Sequence, residues 1–413
     1  MSANIIGNNI NEIFIDSLRY LKDNGTRLNI RGSEVCEVTN FTYELTNIHN
    51  NVLTIPFRYN NFPAICFETL WVLSGCNYLG YLKYFLPNCT DYSDDEGKTW
   101  GGAYGPRIRI SQQFEDTDQH IDFRQIIIEG PIAEILYNDQ IVNVLKTLIE
   151  DKHSRQAIIM IGESNDYRFI TETKDRPCNV ALQFYIRDNK LHQTIFQRSG
   201  DCIWGALNIN IFEWTTLQKI IADCLNIETG SLTHHITSFH YYIFQHEKMI
   251  NKILENIHLI PNIYNGHFDI HQSASKLKKK VSEPETYNEL EYHYSNIAFS
   301  YNVLAKTIEN KNNANKNFVK NSFVNIPNHR YIKKLYDAAK LFILLKTKRS
   351  DDIVDFLMNQ DMDIYGLASL EYAVRYCIRE NADMNIDFNE IIDVNKSSYY
   401  DKEINDFIFW SSS

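Results

Sequence analysis

The residues best suited to chemistry gather in Arg176-Pro177-Cys178-Asn179 and, a hairpin later, in Gln197-Arg198-Ser199-Gly200-Asp201. A cysteine becomes a nucleophile when its thiolate is favoured, commonly by a nearby positive charge. Arg176 is local to Cys178, and Arg198 can arrive from the second strand of the hairpin. A guanidinium fork beside a hydroxyl suits a phosphate, because both groups donate to its oxygens, so Arg198-Ser199 reads as an anion grip. Phosphatases also pair cysteine with arginine, but within one short loop that is not found here.

Other residues stand out less sharply. Arg31-Gly32 sits in a polar turn, which suits either a surface arginine or a loop that meets a phosphate. Glu68 lies in an apolar run (Ile65, Phe67, Leu70, Trp71, Leu73), where a carboxylate is costly unless it is paired, has a raised pKa or sits at a solvated edge. Asp94-Asp95-Glu96-Gly97 lacks the alternating ligand pattern of a calcium loop and reads as solvated. The eight cysteines are scattered with no C-x-x-C pair, which fits free thiols in a reducing cytoplasm and gives neither a disulfide framework nor a metal site.

These residues need elements to position them. Apolar spacing predicts helices over 9–22, 65–84, 139–151 and 210–226, the first ending at Asn24-Gly25. Val35 to Leu45 and Ala157 to Ile161 read as strands. Val180 to Ile186 and Leu191 to Phe196 flank Asp188-Asn189-Lys190 as a hairpin. Ile236 to Phe244 is a further strand-like run, carrying His240 and Tyr242, and Asp91 to Gly105 is a loop. Beyond residue 280 the composition changes. A basic run at Lys276 to Lys280 and an asparagine-rich stretch at Asn310 to Asn321 read as linkers. Helices are predicted over Glu283 to Glu309, Tyr331 to Leu345, Ile353 to Met358 and Leu367 to Ile378.

A chain of 413 residues with 44% hydrophobic and 23% charged content is expected to fold as one large globular domain plus a smaller one. Its net charge of −11 argues against a nucleic-acid or membrane-surface binder, which needs a basic face. The N-terminus has no secretion signal, and no stretch approaches the ~20 apolar residues that span a bilayer.

Taken together, the segments resemble the thymidylate synthase family. The resemblance rests on Pro177-Cys178, Gln183-Phe184-Tyr185, Gln197 to Asp201, Gly205, Asn210-Ile211 and His240-x-Tyr242, in order and at family spacing. Weaker matches at Arg31-Gly32, Glu68 to Trp71, Tyr104-Gly105 and Ser154-Arg155 extend it over roughly 9–250. It implies an α+β fold, a mixed sheet flanked by helices, over 1–280; the resemblance does not cover 281–413, which the apolar spacing reads as an all-α extension. It also implies that Cys178 attacks C6 of a pyrimidine nucleotide and that C5 takes a one-carbon unit from methylenetetrahydrofolate. By the same resemblance Arg31, Arg198 and Ser199 hold the 5′-phosphate, with Arg155 reaching the partner's site in a homodimer. Asn210 reads a uracil ring, His240 and Tyr242 bind the sugar, Glu68 relays protons, Tyr104 helps remove the C5 proton, and Asp201 holds the folate pterin.

The departures bear on outcome. Thr90 and Ser93 stand where the family has two tryptophans, Gln156 replaces a second arginine, and Asn179 replaces the histidine after the nucleophile. Asn210 aligns only with one extra residue after Gly205, which leaves Asn208 as a competitor, and no segment matches the family's closing C-terminal tail. Methylation of dUMP to dTMP is the family's usual outcome and the first expectation. C5-hydroxymethylation of dUMP or dCMP is the alternative. A nucleotide-binding regulatory protein without folate chemistry is a third reading.

Overall fold

The computed structural model describes residues 4–55, 57–109, 139–168, 173–257, 283–310, 330–360, 364–379, 386–388 and 391. Its centre is a sheet formed by β1 (Asn4–Gly7), β2 (Thr26–Ile30), β3 (Ser33–Leu45), β4 (Ile158–Met160), β5 (Asn179–Arg187), β6 (Lys190–Asp201) and β7 (Glu228–Tyr242). The spatial order is β1-β3-β7-β6-β5-β4, with β2 added to β3. β1–β3 and β6–β7 run parallel and the other pairs antiparallel, so the sheet is mixed, as expected.

Register gives the sheet two unlike faces. Ile159, Leu182, Ile195, His234 and Tyr43 form one transverse row, and all are fully buried. The adjacent row, Met160, Ala181, Phe196, His235 and Thr42, points the other way, with Met160 49% and Phe196 41% exposed. One-residue alternation along a strand produces this split. The buried row ends in a polar cluster, where the Tyr43 hydroxyl lies 2.9 Å from both the Ala206 carbonyl and His234 Nδ1. Burial pushes the His234 imidazole down to about 3, so it stays neutral.

Helices α1 (Ile10–Asn24), α2 (Phe62–Leu73), α3 (Leu79–Phe85), α4 (Tyr104–Arg109), α5 (Gln140–Glu150), α6 (Asn210–Cys224) and α7 (Ile243–Glu255) accompany the sheet. Asn9 caps α1 by accepting from Asn11 N–H at 2.8 Å, and the helix ends at Gly25 as predicted. The single helix predicted over 65–84 is two. At the end of α2, Cys76 N–H reaches Trp71 O and Gly75 N–H reaches Val72 O, with Gly75 at φ 79°, a left-handed stop that glycine adopts freely. The strand predicted to reach Phe244 ends at Tyr242, where α7 begins.

Every residue of α2 is buried. A helix that is apolar all round must be covered all round. The C-terminal helices α8 (Glu283–Asn310), α9 (Arg330–Lys346), α10 (Ser350–Asn359) and α11 (Ile364–Arg379) complete that cover, with α8, α9 and α11 packing on α2. Phe67 meets Tyr301, Phe85 stacks on Phe342 with centroids 4.8 Å apart, and Phe62 meets Tyr365 edge-on. Residues from both halves of the chain therefore share one continuous apolar core. The basic run at 276–280 and the asparagine-rich stretch at 311–321 lie outside the described residues. Among the described residues, no helix is long and apolar enough to cross a membrane.

Because α9 packs on α2, Phe342→Ala should destabilise the region around Glu68 as well as α9 itself. A loss of about 3–5 kcal/mol is expected for such a buried aromatic. Denaturant unfolding read separately from probes on α2 and α9 should show both shifting together.

Candidate active site

Cys178 sits immediately before β5 and is held there by the strand beside it. Arg198 spans the approach to the cysteine: its backbone N–H donates to Cys178 O, Nε to Pro177 O and Nη2 to Arg176 O, each at 2.9 Å. This guanidinium therefore fixes the Cys178 loop as well as offering charge. Burial pushes the Cys178 thiol up. Arg198 and Arg31 pull it back, while Asp175 and Asp201 oppose them, and the net direction is upward. The expectation that arginine would favour the thiolate is thus outweighed by desolvation.

A second clamp comes from the loop before α4. Asp94 accepts from Thr173 Oγ1 and Lys174 N–H, and Asp175 accepts from Gly102 N–H at 2.9 Å. A Cβ on Gly102 would lie 2.9 Å from Pro177 N and 3.0 Å from the Arg176 carbonyl carbon, so no side chain fits there. Ser93, at one of the departing positions, builds this loop. Its hydroxyl donates to Asp95 at 2.6 Å and accepts from Gly97 N–H at 2.9 Å.

Glu68 projects from α2, and burial pushes its carboxyl up to about 8. Its Oε2 has no hydrogen-bond partner. Tyr104 opens α4, a helix seated by Gly105, where a Cβ would come within 2.9 Å of the Cys76 backbone. Burial raises the Tyr104 hydroxyl, and the negative forms of Cys178 and Glu213 raise it further, while Asn179 beside it works the other way. The ring packs against Trp214 at 5.4 Å.

The extra residue after Gly205 has a structural home. Residues Gly205–Ile209 form a π turn, in which Ile209 N–H reaches Trp204 O and Asn210 N–H reaches Gly205 O, each five residues back. Such a turn absorbs one residue without breaking the helix, and it occurs often at functional sites. It leaves Asn210 at the head of α6, where Oδ1 accepts from Gln197 Nε2 at 3.2 Å. Asn208 is buried within the turn, and its Nδ2 has no partner.

Register on β6 and β7 sets Ser199 opposite Ser238 and Asp201 opposite His240. His240 meets Tyr242 edge-on at 5.4 Å. Burial raises the Tyr242 hydroxyl, as do Asp201, Tyr92 and Cys178, against a pull from Arg31. Arg31 occupies the two-residue β2–β3 turn with φ 52°, followed by Gly32 at φ 82°. Both values suit a type I′ hairpin. Arg155 is exposed ahead of β4, where its carbonyl accepts from Gln183 Nε2 at 3.0 Å.

Two residues of this region escape the sequence reading. Glu213, three positions after Asn210 on α6, is 1% exposed, and both its oxygens lack hydrogen-bond partners. Burial and then Glu68 raise its carboxyl well above the usual range, and the neighbouring Asn210 amide counters only in part. Arg58 is buried near Asp201 and donates to Ile203 O and Asn60 Oδ1. Burial lowers it to about 10, with Asp201 opposing. The signal for Glu213 was present: a carboxylate among Ile211, Phe212, Trp214 and Leu217, the same pattern that marked Glu68.

With this geometry in place, the comparison with known families is decisive: residues 12–293 match the thymidylate synthase model. The chain belongs to the thymidylate synthase family. Its similar relatives include a deoxyuridylate hydroxymethyltransferase of Delftia phage PhiW-14, 30% identical over 227 residues, which are 52% of this chain and 56% of that protein. A deoxyuridylate hydroxymethyltransferase of Bacillus phage SP01 is 26% identical over 253 residues, 61% of this chain and 62% of the relative. A third, from Pseudomonas phage M6, is 30% identical over 200 residues, 48% of each chain. The matches thus span about half to three-fifths of these relatives. The thymidylate synthase fold expected from Cys178 and its neighbours is the fold observed.

Glu68 gives a pH signature. Its carboxyl keeps its proton to about pH 8 when folded and loses it near the ordinary 4.5 when unfolded. The folded state thus holds more protons in that window, and stability falls as pH rises through it, by up to about 1.4 kcal/mol per unit. Glu213 adds a slope of the same sign. Denaturant unfolding across the window should show Glu68→Gln with a flatter dependence than the wild type.

Proposed function

We propose that this chain catalyses folate-dependent hydroxymethylation at C5 of dUMP. Cys178 attacks C6, and Arg198, Ser199 and Arg31 receive the 5′-phosphate. Asn210 reads the uracil edge, since an amide both donates and accepts. His240 and Tyr242 hold the sugar. Tyr104 and Glu68 move protons at C5 and at the C4 oxygen. The observation that carries the reading is that Arg198 of β6, Tyr104 of α4 and Tyr242 of β7 act on Cys178, while Glu213 of α6 acts on both Tyr104 and Glu68 of α2. A protein that merely bound a nucleotide would have no use for unpartnered buried carboxyls.

Methylenetetrahydrofolate would supply the one-carbon unit. Asp201 fits it: Oδ1 accepts from Ile203 N–H at 2.9 Å, which leaves Oδ2 for a pterin donor. Sequence reading put methylation first. The names of the relatives reverse that order, and Thr90 and Ser93 in place of bulky indoles favour the admission of water on the folate side.

The assembly proposed is a homodimer with shared sites. Its support is the uncovered sheet face, where a groove of about 330 Å³ is lined by Thr42, Val180, Phe196 and His235 among others. Exposed Ile158, Met160 and Phe196 extend the apolar surface towards Arg155, which a second copy would carry to its neighbour's phosphate. Helices α8, α9 and α11 serve as a brace that keeps α2 and Glu68 dry.

Mass analysis of the product tests the function. From dUMP and methylenetetrahydrofolate, the nucleotide is expected to gain one formaldehyde unit, with tetrahydrofolate released. A gain of one methylene unit with dihydrofolate released would establish methylation instead. No reaction with dUMP but reaction with dCMP would overturn the base assignment.

A further inference from the structure

Hydroxymethylation and methylation share their early steps and part at the last one, where the methylene carbon on C5 accepts either water or hydride. Adding water requires a base, because the attacking oxygen must lose a proton. Glu68, the carboxyl already placed beside the ring, is needed as a proton donor towards the C4 oxygen. One carboxyl cannot be acid and base in the same step.

The fold supplies a second one. Glu213 lies one helical turn beyond Asn210, on the same face of α6 as the residue that reads the base. It is 1% exposed, and neither carboxyl oxygen has a well-formed hydrogen bond, the Asn210 amide being the one polar group that approaches. Leaving such a group buried and unsatisfied is costly, so its retention calls for a use. Its helix packs on α2, which carries Glu68, and the next residue, Trp214, touches the Tyr104 ring. Two neighbouring buried carboxyls cannot both ionise easily, and the base role belongs to the state in which one proton has left the pair, Glu213 is the ionised member and Glu68 keeps its proton.

We propose that Glu213 is a second catalytic carboxyl, which binds the water that adds to the C5 methylene and accepts its proton. The step balances. The water oxygen bonds to the methylene carbon as a proton passes to Glu213, and the displaced electron pair moves onto the C4 oxygen. It then re-forms the C5–C6 double bond while Cys178 Sγ leaves C6 with the C–S pair. The products are the hydroxymethyl nucleotide, the free thiolate and a protonated Glu213. The inference rests on the hydroxymethylase reading, since a hydride step has no use for a water base.

The test separates the two. dUMP tritiated at C5 releases its label before water adds, so the first turnover reports the early steps and product mass reports the last. Glu213→Gln should release tritium in the first turnover within a few-fold of the wild-type rate, yet form hydroxymethyl product about 100-fold more slowly, as expected for loss of a general base. Glu213→Asp, which retracts the carboxyl by one methylene, should recover part of that loss. If both readouts fall together in both variants, Glu213 is structural and the proposal fails. Unchanged product formation in Glu213→Gln also overturns it. Wild-type enzyme that yields dTMP would overturn the hydroxymethylase reading itself, whatever the variants do.

Discussion

Burial of a carboxyl on α2 is the constraint on which the rest depends. In the proposed reaction Glu68 moves protons only because water is kept from it, and water is kept from it because α2 is covered on every side. α3, α4 and α6 cover part of that helix, and α8, α9 and α11 cover the rest, with Tyr301 against Phe67, Tyr365 against Phe62, and Phe342 against Phe85 of the adjoining α3. Desolvation raises Glu68, Glu213, Tyr104 and Cys178 alike, which biases all four towards their neutral forms before substrate arrives. The C-terminal helices thus act on the chemistry through dielectric, by packing alone.

Against this dry side the chain sets a polar one. β6 and β7 deliver Arg198, Ser199, Asp201, His240 and Tyr242 at fixed register, and the β2–β3 turn adds Arg31. Arg198 joins the two sides, since it grips the carbonyls ahead of Cys178 and lends charge to the same place. The π turn before Asn210 shows how such an arrangement tolerates change. One inserted residue is confined to a single wide turn, and Asn210 stays against Gln197.

Much of this was legible in the sequence. Cys178 with the Gln197 to Asp201 segment declared its chemistry by residue type, and alternation along the strands declared the sheet. Glu68 was visible because a carboxylate in an apolar run needs a reason. Glu213 carried the same mark but was masked by its place in a long helix that read as ordinary core. What sequence could not convey were distances between segments far apart in the chain. Nothing in Gly102 announces that its α-carbon lies against Pro177. Apolar spacing in α9 shows that it has a partner, but not that the partner is α2. The break at Gly75 was missed because apolar residues continue on both sides of it.

The central claim is that Cys178 opens a folate-dependent transfer by bonding to C6, and trapping that bond tests it most directly. With 5-fluoro-dUMP the fluorine cannot leave C5, so the reaction halts with protein, nucleotide and one-carbon folate joined. Intact-mass and peptide analysis should find the adduct on the Cys178 peptide, dependent on methylenetetrahydrofolate and lost in Cys178→Ser. Folded protein that binds the nucleotide yet forms no adduct, or forms it at another residue, would contradict the account.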